Sequence, residues 1–255
     1  MLKGEDTGED IGIESRSPRV VIACGALQPE LEHLRQGHEN EVQTIYLPQN
    51  MHRAPHQLPD MIQEKVDQVA EYASRIILGY GLCSNGIAGV KALEQGLVVT
   101  RSHDCVALFL GSLEKYWQIS RDHPGSYYLT RGWIDEGKDP LGTMEKDYIP
   151  RLGRAWAEWG AREEIKHYTR FVFINTGVGD TQALRDRSME NARFFGKEYL
   201  EVQGDLEYLR RIMFGPYDKE YFYLVPAFEK VQQRWYILDA AEPDHKKNKE
   251  TYHEQ

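Results

Sequence analysis

The chain has 255 residues, 41% of them hydrophobic, and a formal net charge of −9 at pH 7. A chain of this length can bury a substantial core, as one large domain or two small ones. The negative charge argues against nucleic acid as a partner, because nucleic-acid binders usually carry a basic face. No apolar run approaches the roughly 18–20 residues of a membrane span. We therefore expect a soluble globular protein.

Both ends of the chain differ in composition from its interior. Residues 1–18 are rich in charges and glycine, and they lack the basic and apolar regions of a secretory signal. The end of the chain, 239–255, is also highly charged. We predict a disordered leader over 1–18, an α/β domain over 19–238 and a charged tail.

Short β-rich runs alternate with helical patterns along the interior. In the first half, the strand-like runs are "RVVIAC" (19–24), "VQTIYLP" (42–48), "RIILGYG" (75–81) and "LVVTRS" (97–102), and the helical patterns lie at 29–37, 58–73, 85–96 and 104–120. In the second half, strand-like runs at 125–133, 170–177, 197–205 and 220–228 alternate with helical patterns at 145–165 and 180–196. This rhythm predicts a three-layer α/β sandwich with a mainly parallel sheet. The sandwich could consist of two flavodoxin-like halves, 19–122 and 123–238.

The chain has three cysteines, and each lies at or just past the end of a predicted strand. Cys24 ends the first strand, Cys83 follows the third, and Cys105 follows the fourth. If the sheet has the common order 2-1-3-4, these strands are neighbours and the thiols converge on one edge, where ligands of open α/β sheets bind. The other interpretation is simple packing, since free cysteine is often buried. Their loop contexts favour a shared site.

Three thiolates suit a soft metal. Zinc with three protein ligands and an open fourth position can act as a Lewis acid or hold a substrate thiolate. A [4Fe–4S] cluster bound by three cysteines would also leave one iron open to substrate. His103, two residues before Cys105, could be a fourth ligand or shuttle protons, or it could be an ordinary loop residue. An odd cysteine count fits a reducing cytoplasm rather than a disulfide framework.

Other candidate residues follow two further predicted strands. Arg131 could clamp an anionic group of the substrate, and Trp133 could form an apolar wall beside it, although a surface ion pair and a core aromatic explain them equally well. Gly177 and Gly179 lie in a turn that leads into a helix, whose free N–H groups could bind an anionic cofactor. This turn lacks the G-x-G-x-x-G and P-loop patterns.

Four motifs together resemble a known family of uncharacterised proteins. The stretches "VIACGAL", "ILGYGLCSNG", "TRSHDCVALFLGS" and "GSYYLTRGW" resemble the family of domain of unknown function 1638, over roughly residues 19–237. The three cysteines match the recurring cysteines of that family, and His103 lies in its Ser-His-Asp-Cys motif. Members tend to be encoded beside corrinoid-dependent methyltransferases, so the resemblance implies a role in one-carbon metabolism.

Three functional hypotheses follow. The first is a metal-dependent enzyme, with zinc as the metal, that acts on a small anionic or methylated metabolite. The second is a non-catalytic accessory protein that binds a corrinoid, a metal or a metabolite for a partner methyltransferase. The third is metal-free acid/base chemistry by two cysteines, in which Cys83 at the N-terminus of the helix predicted over 85–96 would have a lowered pKa.

Overall fold

The computed structural model describes residues 17–49, 51, 56–83 and 85–236, and the strands within them form two sheets. The strands are β1 (Arg19–Cys24), β2 (Val42–Leu47), β3 (Arg75–Gly79), β4 (Leu97–Thr100), β5 (Ser126–Leu129), β6 (Arg170–Asn175), β7 (Glu198–Gln203) and β8 (Phe222–Val225). The larger sheet has the order β2-β1-β3-β4-β8, and the smaller sheet has the order β5-β6-β7. Every pairing between these strands is parallel except that of β4 with β8.

The helices lie mostly between successive strands. They are α1 (Gln28–Arg35), α2 (Leu58–Val69), α3 (Val106–Leu110), α4 (Leu113–Asp122), α5 (Arg131–Asp135), α6 (Pro140–Thr143), α7 (Ile149–Leu152), α8 (Arg154–Glu164), α9 (Thr181–Phe195) and α10 (Glu207–Phe214). A single 3-10 turn (Gly25–Leu27) precedes α1, and a π-helical segment (Met144–Tyr148) precedes α7. None of the helices in the described ranges is long and apolar enough to cross a membrane.

The larger sheet is the middle of three layers, because the side chains of β1 alternate between two cores. Val20 and Ile22 belong to one apolar cluster with residues of α2, whereas Val21 and Ala23 belong to another with residues of α1, α3 and α10. All four side chains are fully buried. A strand that is apolar on both faces is typical of a parallel sheet covered by helices. The prediction of an α/β fold with a mainly parallel sheet is therefore confirmed.

The smaller sheet has its own core with α8 and α9. Leu129 of β5 and Phe171 of β6 pack against Ala157 and Ala161 of α8 and Phe195 of α9. Strand β8 belongs to the predicted second half, 123–238, but pairs with β4 of the larger sheet. The chain therefore returns to the first sheet after building the second. The predicted leader lies outside the described residues except for positions 17 and 18, and the predicted tail lies wholly outside them.

The helix predicted over 85–96 is wrong. Asn85 and Gly89 have positive φ angles of 71° and 92°, which a right-handed helix does not allow. The N–H groups of Gly89 and Ala92 donate to the carbonyls of Val231 and Glu229, at 2.9 and 2.8 Å, instead of to the preceding helical turn. The segment is a set of turns held by the C-terminal part of the chain.

The helix predicted over 104–120 is interrupted. Gly111, with a φ of 85°, ends α3, and Ser112 then caps α4 by accepting a hydrogen bond from the N–H of Lys115 at 3.2 Å. A left-handed glycine followed by a serine cap is a common way to end one helix and begin another. Helix α4 nevertheless stays beside the loop that holds Cys105, because the ring of Trp117 packs against that of His103 with centroids 6.1 Å apart.

Candidate functional site

The order β2-β1-β3-β4 places the carboxyl ends of the three cysteine-bearing segments next to each other. Cys24 is the last residue of β1, while Cys83 and Cys105 lie in the loops after β3 and β4. Neighbouring parallel strands end at the same edge of a sheet. The predicted strand order on which the three-thiol hypothesis depends is therefore the observed one.

The loops after β3 and β4 are bound to each other through their backbones. The N–H of Leu82 donates to the carbonyl of Ser102 at 2.8 Å, and the N–H of Cys83 donates to that of His103 at 3.3 Å. A Cβ atom on Gly81 would lie 2.7 Å from the carbonyl carbon of Asp104, so only glycine allows this approach. The sequence "GYGLC" therefore builds the contact between the two loops.

This contact brings two of the thiols together. The Sγ atoms of Cys83 and Cys105 lie 3.3 Å apart, and the N–H of Gly81 points to the Sγ of Cys105 at 3.4 Å. Cys83 has a φ of 45°, a left-handed conformation that non-glycine residues rarely adopt. Such strained positions often lie at functional sites.

Cys24 is the third member of the cluster, through its electrostatic interaction with the other two. Burial and the neighbouring Cys105 raise the pKa of the Cys24 thiol to about 12, although a hydrogen bond from the Ala26 backbone lowers it. The hydrogen bond with Cys105 and burial raise the pKa of Cys83 well above its usual value, and Cys24 adds to this effect. All three are free, partly buried thiols.

These pKa directions correct the expectation of an activated Cys83. The predicted lowering required a helix that begins after Cys83, and that segment forms turns instead. Without helical N–H groups, burial and the neighbouring thiols favour the neutral form.

Sulfur is the donor that soft metals prefer, and the spacing of two of the three thiols is close to that of a tetrahedral metal site. Around one tetrahedral zinc ion with bonds of about 2.3 Å, neighbouring sulfurs are roughly 4 Å apart. The Cys83–Cys105 pair, at 3.3 Å, is close to this spacing. Within the described residues, however, no group of three His, Cys, Asp or Glu side chains is arranged to hold a metal ion. The three thiols are therefore not already arranged as a tripod in this structure.

Tyr80 lies beside the thiols and was missed by sequence reasoning. Its side chain is 2% exposed, and its hydroxyl has no hydrogen-bond partner among the described residues. Burial raises the pKa of Tyr80 well above its usual value, and all three cysteines add to this effect. A buried hydroxyl normally has a partner, so a bound ligand is a natural candidate. The available signal was a tyrosine directly after a buried strand and three residues before Cys83.

His103 contacts Cys83 through its backbone carbonyl, while its ring lies among aromatic side chains. The ring packs edge-on against Trp117 and Tyr236, with centroids 6.1 and 5.9 Å away. Its Nε2 is buried and has no partner within the described part of the chain. Among the described residues, the ring is not part of any group arranged to hold a metal ion.

Arg131 and Gly179 come together at the carboxyl ends of β5 and β6. The Nε of Arg131 donates to Asp135 at 2.8 Å, and a Cβ atom on Gly179 would lie 2.7 Å from the guanidinium carbon. Two N–H groups of α9, those of Gln182 and Ala183, donate to the carboxylate of Asp180 at 3.1 Å. The N–H groups that the sequence analysis assigned to an anion are thus partly occupied by the helix's own cap.

A polar cleft of about 430 Å³ separates the two sheets at this edge. Its lining includes Gly25, Gln28 and His33 from the β1 side, and Arg131, Asp135 and Gly179 from the smaller sheet. Gly177 and Trp133 are not part of this lining. The volume suits a small metabolite. Because Gly25 directly follows Cys24, the cleft begins one residue from the thiol cluster.

Glu30 is a second buried group that sequence reasoning missed. Its side chain is fully buried in α1, where Oε1 accepts a hydrogen bond from Thr176 at 2.9 Å. Burial raises the pKa of Glu30 to about 7, despite this hydrogen bond and the nearby Arg131. A carboxyl group that titrates near neutrality can act as an acid or a base.

Comparison with known proteins gives a family but no activity. The family model described as "Protein of unknown function (DUF1638)" matches residues 46–213, roughly two thirds of the chain. The matched region contains Cys83, Cys105 and Arg131, and it begins after Cys24. No curated protein and no solved structure matches the chain.

Proposed function

This chain belongs to the DUF1638 family of unknown function, and we propose that it is a metal-dependent enzyme whose metal is bound by Cys24, Cys83 and Cys105. Zinc is the metal that we favour, with a [4Fe–4S] cluster as the alternative. The ligand that completes the coordination would be a substrate atom or water. With three unpaired thiols, the proposal places the protein in the reducing cytoplasm.

The observation that carries the proposal is the 3.3 Å separation of the Cys83 and Cys105 sulfurs. Burial and the neighbouring thiols raise the pKa of Cys24 and of Cys83, so ionising them without a cation is unfavourable. A bound metal ion reverses this, because a coordinating thiol loses its proton. A bound divalent cation would therefore stabilise the ionised form of these thiols.

The cleft beside Gly25 is the proposed substrate site. Arg131 would orient an anionic group of a small metabolite there, with Gly179 packed against its guanidinium. A thiolate-bound zinc ion can activate a substrate thiol as a nucleophile for methyl transfer. The one-carbon part of the proposal, including a corrinoid or a methyltransferase as partner, rests on the family resemblance.

The spacing of Cys83 and Cys105 argues against metal-free acid/base chemistry by these two thiols. Two cysteines that exchange protons with one carbon atom must lie on opposite sides of it, each about 3–3.5 Å away. Cys83 and Cys105, 3.3 Å apart, leave no room for a carbon atom between them. An accessory role for a partner methyltransferase stays open, and turnover by the purified protein alone would argue against it.

Metal analysis of anaerobically purified protein tests the proposal. We expect about one zinc per chain in the wild type, or iron with sulfide and a brown colour for the alternative cluster. Cys24→Ala, Cys83→Ala and Cys105→Ala should each lower the metal content strongly. Leu82→Ala is the matched control, since it removes a buried side chain from the same loop without removing a ligand. Wild-type protein without stoichiometric metal would overturn the proposal.

A further inference from the structure

Helix α8 exposes its large apolar side chains to solvent and buries small ones, which is unusual for a helix of a monomeric protein. Trp156 and Trp159 are 67% and 60% exposed, whereas the positions buried against the smaller sheet are Ala157 and Ala161. The two indole rings contact each other edge-to-face at 6.0 Å and form one aromatic surface. Exposed apolar patches of this kind usually mark an interface.

Gly160 leaves a small depression in this surface, here called the notch, because it has no side chain. Glycine inside a helix is destabilising relative to alanine, so its presence usually has a reason. Here a Cβ atom would meet nothing within 4 Å, so no contact inside the described chain excludes a side chain. Close approach of another molecule supplies such a reason.

The notch and Trp156 are one helical turn apart. Residues four apart lie on the same helix face, so Trp156 forms a knob beside the hole at Gly160. In a two-fold antiparallel pair of α8 helices, the Trp156 of each copy lies over the Gly160 of the other. Such a self-complementary patch is what an isologous dimer requires.

The charged side chains of α8 have partners within the chain and lie around this surface rather than on it. Arg154 pairs with Glu158 at 3.5 Å on the helix face opposite Trp156, and Glu163 pairs with Lys166 at 2.7 Å. Arg162 donates a hydrogen bond to a backbone carbonyl of α9 and so lies off this face. The part of α8 that a second copy would contact is therefore the surface of Trp156 and Gly160.

We propose that α8 is the contact surface of a two-fold symmetric homodimer, with Trp156 packed on Gly160 across the axis. The occupant of the surface is a second copy of this chain, because the exposed knob at Trp156 and the notch at Gly160, one helical turn apart, are complementary to each other across a two-fold axis. The patch is small compared with stable dimer interfaces, so the association is weak and depends on protein concentration.

Sedimentation equilibrium over a range of concentrations tests this proposal. The wild type should approach twice the monomer mass at high concentration, and Trp156→Ala and Gly160→Leu should stay at the monomer mass. Gly160→Leu should fold normally, because the position has open space, and circular dichroism checks this. Phe228→Ala, which removes another exposed aromatic (62%), should leave the dimer intact. A wild type that stays monomeric, as it would if another protein covered this face, or a dimer that survives both substitutions, would overturn the proposal.

Discussion

The sulfur atoms of Cys83 and Cys105 lie 3.3 Å apart, although their positions in the chain differ by 22. This proximity predicts that an oxidant such as diamide links the two residues when no metal is bound. Each thiol gives up a hydrogen atom, one S–S bond forms, and diamide is reduced to the hydrazine. We expect intact-mass analysis to show the loss of two hydrogen atoms, and peptide mapping to identify the Cys83–Cys105 pair.

Two comparisons sharpen this oxidation experiment. Cys24→Ala should still form the cross-link, whereas Cys105→Ala should lose it. Added zinc should slow the reaction, because bound thiolates are protected. Cross-linking mainly through Cys24 would mean that the Cys83–Cys105 pair is not the closest one in solution.

Gly81 should be needed for the cluster because it has no side chain, which lets the loops after β3 and β4 approach each other. In Gly81→Ala, the new Cβ would lie 2.7 Å from a backbone atom of Asp104 and 2.9 Å from the nitrogen of Cys105, so the two loops must separate. We expect a loss of metal and a destabilisation of about 1–3 kcal/mol, as for other overpacked positions. Denaturant unfolding and metal analysis measure these effects.

The matched control for Gly81 is Gly160, where a Cβ meets nothing within 4 Å. Gly160→Ala should leave the metal content unchanged and stabilise the monomer. Retention of metal by Gly81→Ala would show that the loop contact is not needed for binding.

The sheet edge could be predicted from the sequence, whereas the arrangement within the loops could not. Buried runs such as residues 19–24 indicate parallel strands, and parallel strands place their following loops on one edge. Asn85 and Gly89 belong to a segment with a helical pattern, but its N–H groups pair with Val231 and Glu229, far away in the chain. The local sequence pattern does not indicate hydrogen bonds to such distant residues. Likewise, only the folded chain shows that the hydroxyl of Tyr80 is buried beside three thiols.

Tyr80→Phe tests whether that hydroxyl is held ready for a ligand. A buried hydroxyl without a partner costs free energy, so its removal from the metal-free, ligand-free protein should leave stability unchanged or raise it by about 1–2 kcal/mol. Denaturant unfolding measures the change. A clear destabilisation would show that the hydroxyl stabilises the folded protein itself and is not held ready for a ligand.

Glu30 predicts a stability change in a defined pH window. Burial raises the pKa of its carboxyl group from 4.5 to about 7. The folded state therefore holds this proton more tightly than the unfolded state does. Its contribution is fully present below pH 4.5 and is lost as the pH rises through 7, by at most about 3 kcal/mol. In Glu30→Gln, which stays neutral, the free energy of unfolding should no longer fall across this window relative to wild type.

Glu201 is the matched control for Glu30, because its pKa shift has the opposite sign. Hydrogen bonds from Arg185 lower the pKa of Glu201 to about 2, so its contribution is present above pH 4.5 and is lost as the pH falls toward 2. Glu201→Gln should therefore change the acid limb of the stability curve and leave the interval from 4.5 to 7 as in wild type. Unfolding curves at a series of pH values separate the two carboxyl groups. If Glu30→Gln keeps the wild-type slope between pH 4.5 and 7, Glu30 ionises normally in the folded protein and cannot serve as a neutral-pH acid or base beside the cleft.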